Sequence, residues 1–426
     1  MASSNESLVC VTGATGYIAS HIISQLQEQG YRVRGTVRSL ENEEKLRTDL
    51  EALCPEAEHK IEIVEGDLTK AETWEAAVKD CTYVIHTASP LPATVPKDEK
   101  EVVEPAVEGT LSVLKACKAA KVKRVVLTSA VVAISGSVPS SDPEKVYNEE
   151  DWGDPEKADA YPKSKISAEK AAWDFIKELP DEEKFELAVI NPAVALGPVL
   201  NGKISTSMEM LKRLLERSIP ACPRLNLPVV DVRDVAAAHI KAMTEPEAAG
   251  NRHIVINQNI WLREIAQTLS KEFKPQGYGI PTAHCPYFAA WITALFDKNV
   301  KNLLPQIGKT MKYDNTRMKE KLGIEPRDIN ATLLEGCYSM IEKGLIKKPK
   351  PKKTKKAAAD AEKDEEEGKA EDVKENGDVG DEKKEGDNNE TEKKEGEDNK
   401  TEENEKKDDT KDEEKTEEKI EEVADK

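Results

Sequence analysis

The 426-residue chain has no Cys-x-x-Cys pair, no His-x-x-x-His and no uninterrupted apolar run of membrane-spanning length. Each absence excludes a class. The seven cysteines (Cys10, Cys54, Cys81, Cys117, Cys222, Cys285, Cys337) are odd in number and scattered, which is reduced, cytosolic usage rather than a disulfide framework. The six histidines are isolated, so no zinc site is legible. A spanning helix needs about 20 mostly apolar residues, and residues 1–7 are polar, with no basic region leading into an apolar one. Neither a membrane span nor a secretory leader is expected, and a cytoplasmic location is. Aromatic residues make up 4 % of the chain, and none lies in residues 347–426.

Charge divides the chain in two. Residues 347–426 carry 32 acidic and 21 basic side chains, net −11, leaving 50 acidic and 42 basic residues in 1–346. The first 346 residues have the make-up of a globular body large enough for two lobes. The remainder has too little apolar surface to offset the entropy of ordering it, so a disordered Lys/Glu-rich tail is expected. That tail begins with a basic run at 347–356, readable as a linker, a localisation signal or an anion contact. From Ala357 onward it holds 32 acids and 14 lysines, which would repel nucleic acid. No nucleic-acid partner is expected, and the tail names no partner of its own.

Between residues 7 and 196, short β-branched runs alternate with longer stretches of helical spacing. Residues 8–11, 32–37, 61–64, 83–86, 124–128 and 187–190 read as strands, and 18–29, 41–53, 70–79, 102–120 and 163–178 as helices. Six strands separated by helices predict an α/β, doubly wound parallel sheet of Rossmann type, with ligands at the carboxyl ends of its strands. Residues 197–346 lose the alternation and predict a smaller substrate lobe. Its apolar patch at 287–296 reads as core or pocket lining before it reads as a membrane-lying helix, because ten residues are few. A last helix is expected at 330–343.

Thr12-Gly-Ala-Thr-Gly-Tyr-Ile-Ala19 joins the first strand to the first helix, where a dinucleotide pyrophosphate rests on free backbone N–H groups. Gly13 and Gly16 permit the tight turn, and Ala19 still allows close helix packing. A site for NAD usually has Asp or Glu at the end of the second strand, yet no acid occurs between Tyr31 and Leu40. Arg38 ends that strand and Lys45 follows; the pair suits a 2′-phosphate, or is two exposed surface cations. Asp67, after the third strand, is an acceptor for an adenine amino group or a plain turn residue.

Tyr161-Pro-Lys-Ser-Lys165 puts a phenol and an ammonium on one face of a helix. Spacing of that kind arises by chance, so its place after the fifth strand carries the weight. Here the chain resembles the extended short-chain dehydrogenases/reductases, specifically those similar to dihydroflavonol reductase and cinnamoyl-CoA reductase, within the NAD-dependent epimerase/dehydratase superfamily. The resemblance runs through about 340 residues and rests on Val11-Thr-Gly-Ala-Thr-Gly, Thr36-Val-Arg38, Val84-Ile-His-Thr-Ala-Ser-Pro90, Glu104-Pro-Ala-Val-Glu-Gly-Thr110, Leu127-Thr-Ser129, Tyr161-x-x-x-Lys165, Asn191-Pro192 and Val230-Asp-Val-Arg-Asp-Val235.

The resemblance implies a cofactor shell for NADP(H) of Gly13, Gly16, Arg38, Lys45, Asp67, Leu68, Thr87, Ala88, Ser89, Tyr161, Lys165, Pro192, Ala193, Val194, Ala195 and Ser207. It also implies a small carbonyl substrate. Tyr161 would act as general acid, with Lys165 lowering its pKa and holding the nicotinamide ribose. One position departs from the pattern. The family typically writes Thr-Ser-Ser at the end of the fifth strand and uses the second Ser to hold the substrate oxygen, whereas this chain has Thr128-Ser129-Ala130. Ser129 is then the catalytic hydroxyl, or Thr128 substitutes, or activity is weakened. An NADPH-dependent reductase of aldehydes or ketones is the leading expectation. Beside it stand a hydroxysteroid dehydrogenase or sugar-nucleotide epimerase, and a weakly catalytic NADP-binding scaffold with an acidic interaction tail.

Overall fold

A computed structural model describes residues 6–41, 43–90, 98–137, 139–295, 298–347 and 349. The chain separates into Met1–Lys352 and Lys353–Lys426. The acidic tail, most of the basic run and Phe296 lie outside the described residues.

The strands, in chain order, are β1 (Leu8–Thr12), β2 (Arg32–Val37), β3 (Glu62–Glu65), β4 (Tyr83–His86), β5 (Arg124–Thr128), β6 (Val146–Tyr147), β7 (Glu186–Pro192), β8 (Val194–Leu196), β9 (Asn226–Asp231), β10 (Arg252–Val255), β11 (Gln258–Trp261) and β12 (Lys312–Tyr313). The helices are α1 (Tyr17–Glu28), α2 (Glu43–Glu51), α3 (Thr73–Val78), α4 (Lys100–Ala119), α5 (Val132–Ser135), α6 (Ala160–Glu178), α7 (Thr206–Leu215), α8 (Val232–Thr244), α9 (Leu262–Phe273), α10 (Tyr287–Ala294), α11 (Lys298–Leu303), α12 (Thr316–Leu322) and α13 (Ile329–Glu342).

Seven strands form one parallel sheet in the order β10-β7-β5-β4-β1-β2-β3. Both of its faces are buried, which explains why β1 reads as the unbroken apolar run Leu-Val-Cys-Val rather than as an alternation. The pleat still sorts the side chains. Val9 and Val11 of β1, Val126 of β5 and Ile190 of β7 join the core on one face. Leu8, Cys10, Val125 and Val189 join the core on the other. Chain order reverses between β1 and β4, so the crevice that such a sheet offers a ligand opens there.

The six strands expected from the sequence all form, within a residue or two of the expected ends. The alternation does not stop at Leu196, however. The seventh strand, β10, comes from beyond it and pairs with β7, with Arg252 opposite Val189. Its Arg-His-Ile-Val sequence is wholly buried although half of it is polar, and that composition concealed it. A third core gathers α7, α9 and α13 around Met208, Phe273 and Leu333 beneath the small sheet β11-β9-β8. Helix α10 corrects the expectation for the apolar patch. Tyr287, Phe288 and Trp291 are 54 %, 66 % and 51 % exposed, so they are not core, while only Ala290 and Ala294 of that helix are buried. Among the described residues no helix is long and apolar enough to cross a membrane.

Candidate functional site

The glycine-bearing turn is built by the ends of three strands. Gly13 has a φ of +68°, a conformation that L side chains rarely adopt, and a Cβ there would lie 3.2 Å from the Ala88 Cα. Its N–H donates to the Thr36 hydroxyl of β2 at 3.1 Å, and Ala14 donates to the Thr36 carbonyl at 2.9 Å. Just beyond β4, the Thr87 hydroxyl donates to the Thr12 carbonyl at 2.5 Å and the Ala88 N–H to the Thr12 hydroxyl at 3.0 Å. Gly16 caps α1 without a side chain, and the first backbone bond of the helix comes only at Ser20. The first-turn N–H groups and the positive end of the helix dipole are thereby left to meet an anion. Asn201 donates to the Thr15 carbonyl at 2.8 Å and ties the turn to the second lobe.

Arg38 directly follows β2 and is exposed, as is Lys45 on α2. Among the described residues neither forms an ion pair, whereas their neighbours Arg34 and Arg47 pair with Glu62 and Glu43. Asp67 lies near Arg38. Its Oδ1 accepts from the N–H and the hydroxyl of Thr69 at 2.9 and 2.8 Å, and these bonds, with help from Lys70 and Arg38, hold its carboxyl below the usual range. Leu68 packs on Gly109 of α4 so closely that a Cβ on that glycine would come within 2.8 Å of it. This contact explains the glycine in the Glu104–Thr110 motif.

Across the switch point, Ala88, Ser89, Thr128, Ser129, Lys165 and Glu169 share one crevice, closed on a further side by Ala106 and Thr110 of α4. Lys165 Nζ points to the Thr128 carbonyl at 3.4 Å, a long bond that leaves most of the ammonium's donors free. Part of the side chain is exposed, yet desolvation around the ammonium lowers its pKa to about 8, opposed by Glu169. His86, buried behind it, is pushed down to about 3 by burial and by Lys165, so it is neutral and bonds Thr12 through Nδ1 at 2.8 Å. The Ser129 hydroxyl is buried and has no protein partner among the described residues. An orphaned buried hydroxyl is costly, and here it lies in the crevice beside Lys165. Ala130 offers a carbonyl to Asn191 Nδ2 at 3.3 Å and does not line the crevice.

Tyr161 starts α6 one turn before Lys165, with 40 % of its surface exposed. Its phenol lies above the ordinary value because of desolvation. Lys165 is not among the groups that shift it. Desolvation acts on both groups against their charged forms, and an ammonium with a pKa near 8 is itself weakly committed to its charge.

The rest of the expected shell lines the β7 end. Pro192 ends β7, Ala193 breaks it, and Val194 and Ala195 open β8, with the Ala193 N–H bonded to the Val255 carbonyl at 3.0 Å. The Ser207 hydroxyl is already engaged, donating to the Ala195 carbonyl at 2.6 Å. Sequence reasoning passed over Glu169 and Arg252. Glu169 was findable, since it stands four residues after Lys165 on the same helical face. Arg252 carried no signal, because only the fold brings β10 beside α6. None of Tyr287, Phe288 and Trp291 lines the crevice. No group of His, Cys, Asp and Glu able to hold a metal occurs among the described residues.

The profile of the NAD dependent epimerase/dehydratase family matches residues 9–257. A putative uncharacterized oxidoreductase of Saccharomyces cerevisiae is 38 % identical over 355 residues, covering 79 % of this chain and 98 % of its own length. Cinnamoyl-CoA reductase 1 of Arabidopsis thaliana is 37 % identical over 350 residues, covering 81 % and 92 %. The crystal structure of the yeast methylglyoxal/isovaleraldehyde reductase complexed with NADPH superposes with a TM-score of 0.66 at 29 % identity, over 80 % of this chain and all of that one.

Proposed function

Because the chain belongs to the NAD dependent epimerase/dehydratase family, we propose that it is an oxidoreductase that reduces an aldehyde or ketone to the alcohol with NADPH. The observation that carries this reading is the crevice at the β4 and β5 strand ends. There an ammonium with free donors and an orphaned hydroxyl lie together, and the uncapped start of α1 is tied to the β4 side by the Ala88 N–H on the Thr12 hydroxyl. The relatives named above support the reaction class, and the yeast structure supports the cofactor.

NADPH, when bound, supplies the hydride for the carbonyl carbon. The chain's residues do the rest. Gly13 and Gly16 keep the turn open to the pyrophosphate, while Arg38 and Lys45 offer their charge to the 2′-phosphate that distinguishes NADPH from NADH. Tyr161 gives its phenolic proton to the carbonyl oxygen as negative charge develops there. Its raised pKa keeps that proton in place at neutral pH, and an alkoxide is basic enough to take it. Lys165 hydrogen-bonds the ribose and stabilises the phenolate left behind. The Ser129 hydroxyl donates to the substrate oxygen, which satisfies the group the fold leaves orphaned.

Turnover of a panel of aromatic and aliphatic aldehydes and ketones with NADPH and with NADH tests the reading. At least one carbonyl is expected to turn over, with NADPH preferred and Arg38→Ala removing most of the preference. Tyr161→Phe is expected to abolish turnover while NADPH binding stays within a few fold. Wild-type turnover by Tyr161→Phe on the best substrate would sink the assigned chemistry.

A further inference from the structure

A buried charge pair under the crevice takes no part in the reaction as described so far. Glu169 on α6 and Arg252 on β10 are 1 % and 6 % exposed. Arg252 Nε donates to Glu169 Oε1 at 2.5 Å, and Asn191 Nδ2 donates to Oε2 at 2.9 Å. The guanidinium also donates from Nη1 to the carbonyls of Glu149 and Asp151 at 2.9 and 2.6 Å, and it lies 3.7 Å over the Trp152 ring. A buried ion pair of this kind is a poor source of stability, because desolvating two charges costs about as much as their attraction returns. A packed apolar pair would hold the same elements together at least as well. The position of the pair is what distinguishes it. Glu169 follows Lys165 by one helical turn, and the two side chains line the same crevice.

We propose that Glu169 is a positioning residue that keeps the Lys165 side chain charged, and that Arg252 sets how strongly it does so. The proposal rests on Lys165 being the working ammonium of the site. The surroundings of Lys165 leave few alternatives. Its own helix presents Tyr161 and Glu169, β4 presents a neutral His86, β5 presents the Thr128 carbonyl and the Ser129 hydroxyl, and Arg252 of β10 lies behind Glu169. Glu169 is the one group found to favour the ammonium against desolvation. Farther back, Glu149 accepts from the Ile254 N–H and lies 3.9 Å from the Arg317 guanidinium, which offsets its charge. The sign follows from this set. The ammonium is complete well below about pH 8 and is lost as the pH rises through it. Removing the Glu169 charge takes away the group that favours the ammonium and leaves the Arg252 cation behind it unpaired, which should move the loss to lower pH. Removing the Arg252 charge frees the carboxylate to act and should move it to higher pH.

Competitive labelling of the whole protein with acetic anhydride across a pH series, read at the Lys165 peptide by mass spectrometry, measures this midpoint without cofactor or turnover. The wild-type midpoint is expected near 8. Glu169→Gln is expected to lower it by about one unit or more and Arg252→Gln to raise it by about half a unit or more, with the double variant between them. Coincident midpoints, or single variants shifting in the same direction, would overturn the proposal. If Glu169→Gln is too unstable to purify, Arg252→Gln decides alone, and the absence of an upward shift counts against it. Failure of the reductase reading shows elsewhere, as turnover surviving in Tyr161→Phe, and leaves these midpoints unaffected.

Discussion

At the residue scale, the end of β5 asks most of its neighbours, because the hydroxyl that the family pattern places one position later is missing. Ala130 is 8 % exposed and does not line the crevice, while the Ser129 hydroxyl is buried within it and has no protein partner among the described residues. Ser129→Ala is therefore expected to lower kcat at least tenfold, about 1.4 kcal/mol of barrier, with NADPH affinity unchanged within about twofold. Ala130→Ser should be neutral or harmful, since it adds a polar group to a packed position. Steady-state kinetics on the best carbonyl substrate separate the cases. A gain from Ala130→Ser with no loss from Ser129→Ala would move the oxyanion contact to the later position.

At the scale of elements, the β1–α1 turn depends on a backbone that few residues can follow and on the close approach of β4. Those two demands can be tested apart, because Gly202 has nearly the same φ, +70°, but nothing within 4 Å of the place a Cβ would take. Gly13→Ala meets the left-handed penalty of about 1–2 kcal/mol and also the Ala88 backbone at 3.2 Å. It is expected to lower the denaturant midpoint and to weaken NADPH binding at least tenfold. Gly202→Ala should share part of the stability loss and keep the affinity. Equal NADPH affinities for the two variants, measured by fluorescence titration, would show that the turn does not shape the site. The same logic explains Gly109, whose missing side chain leaves room for Leu68 and hence for the turn that presents Asp67.

At the scale of the whole molecule, the folded body ends in packed structure. Ile346 is 2 % exposed in the core of the second lobe, and Pro349 lies 3.1 Å from where a Cβ on Gly277 would be. A chain cut after Lys352 keeps these contacts and removes the acidic remainder, which contains no aromatic residue. Its melting temperature and turnover are expected to match the full chain, and its hydrodynamic radius to shrink well beyond the loss of mass. A large fall in the melting temperature, followed by calorimetry, would mean that the removed residues pack on the body.

The sequence by itself determined the features written in local chemistry. The β-branched runs and their helical intervals specify a parallel sheet, because each element's apolar period is set by its own backbone geometry. Gly13 and Gly16 mark the turn, because a positive φ and a close approach to β4 at Gly13 favour a residue without a side chain. The lack of an acid between Tyr31 and Leu40, and with it the expectation of a 2′-phosphate partner for Arg38, is likewise legible without coordinates. Tertiary structure decided what depends on distant residues meeting. It recruited β10 as a seventh strand, which brought Arg252 across 83 positions to Glu169. It left Tyr287, Phe288 and Trp291 exposed although their composition reads as core, because burial depends on what packs against a helix and not on its apolarity. It also set the surroundings that desolvate the Tyr161 phenol and raise its pKa, an effect that the Tyr161–Lys165 motif does not display. Desolvation is a sum over everything that surrounds a group, and a sequence specifies only its neighbours along the chain.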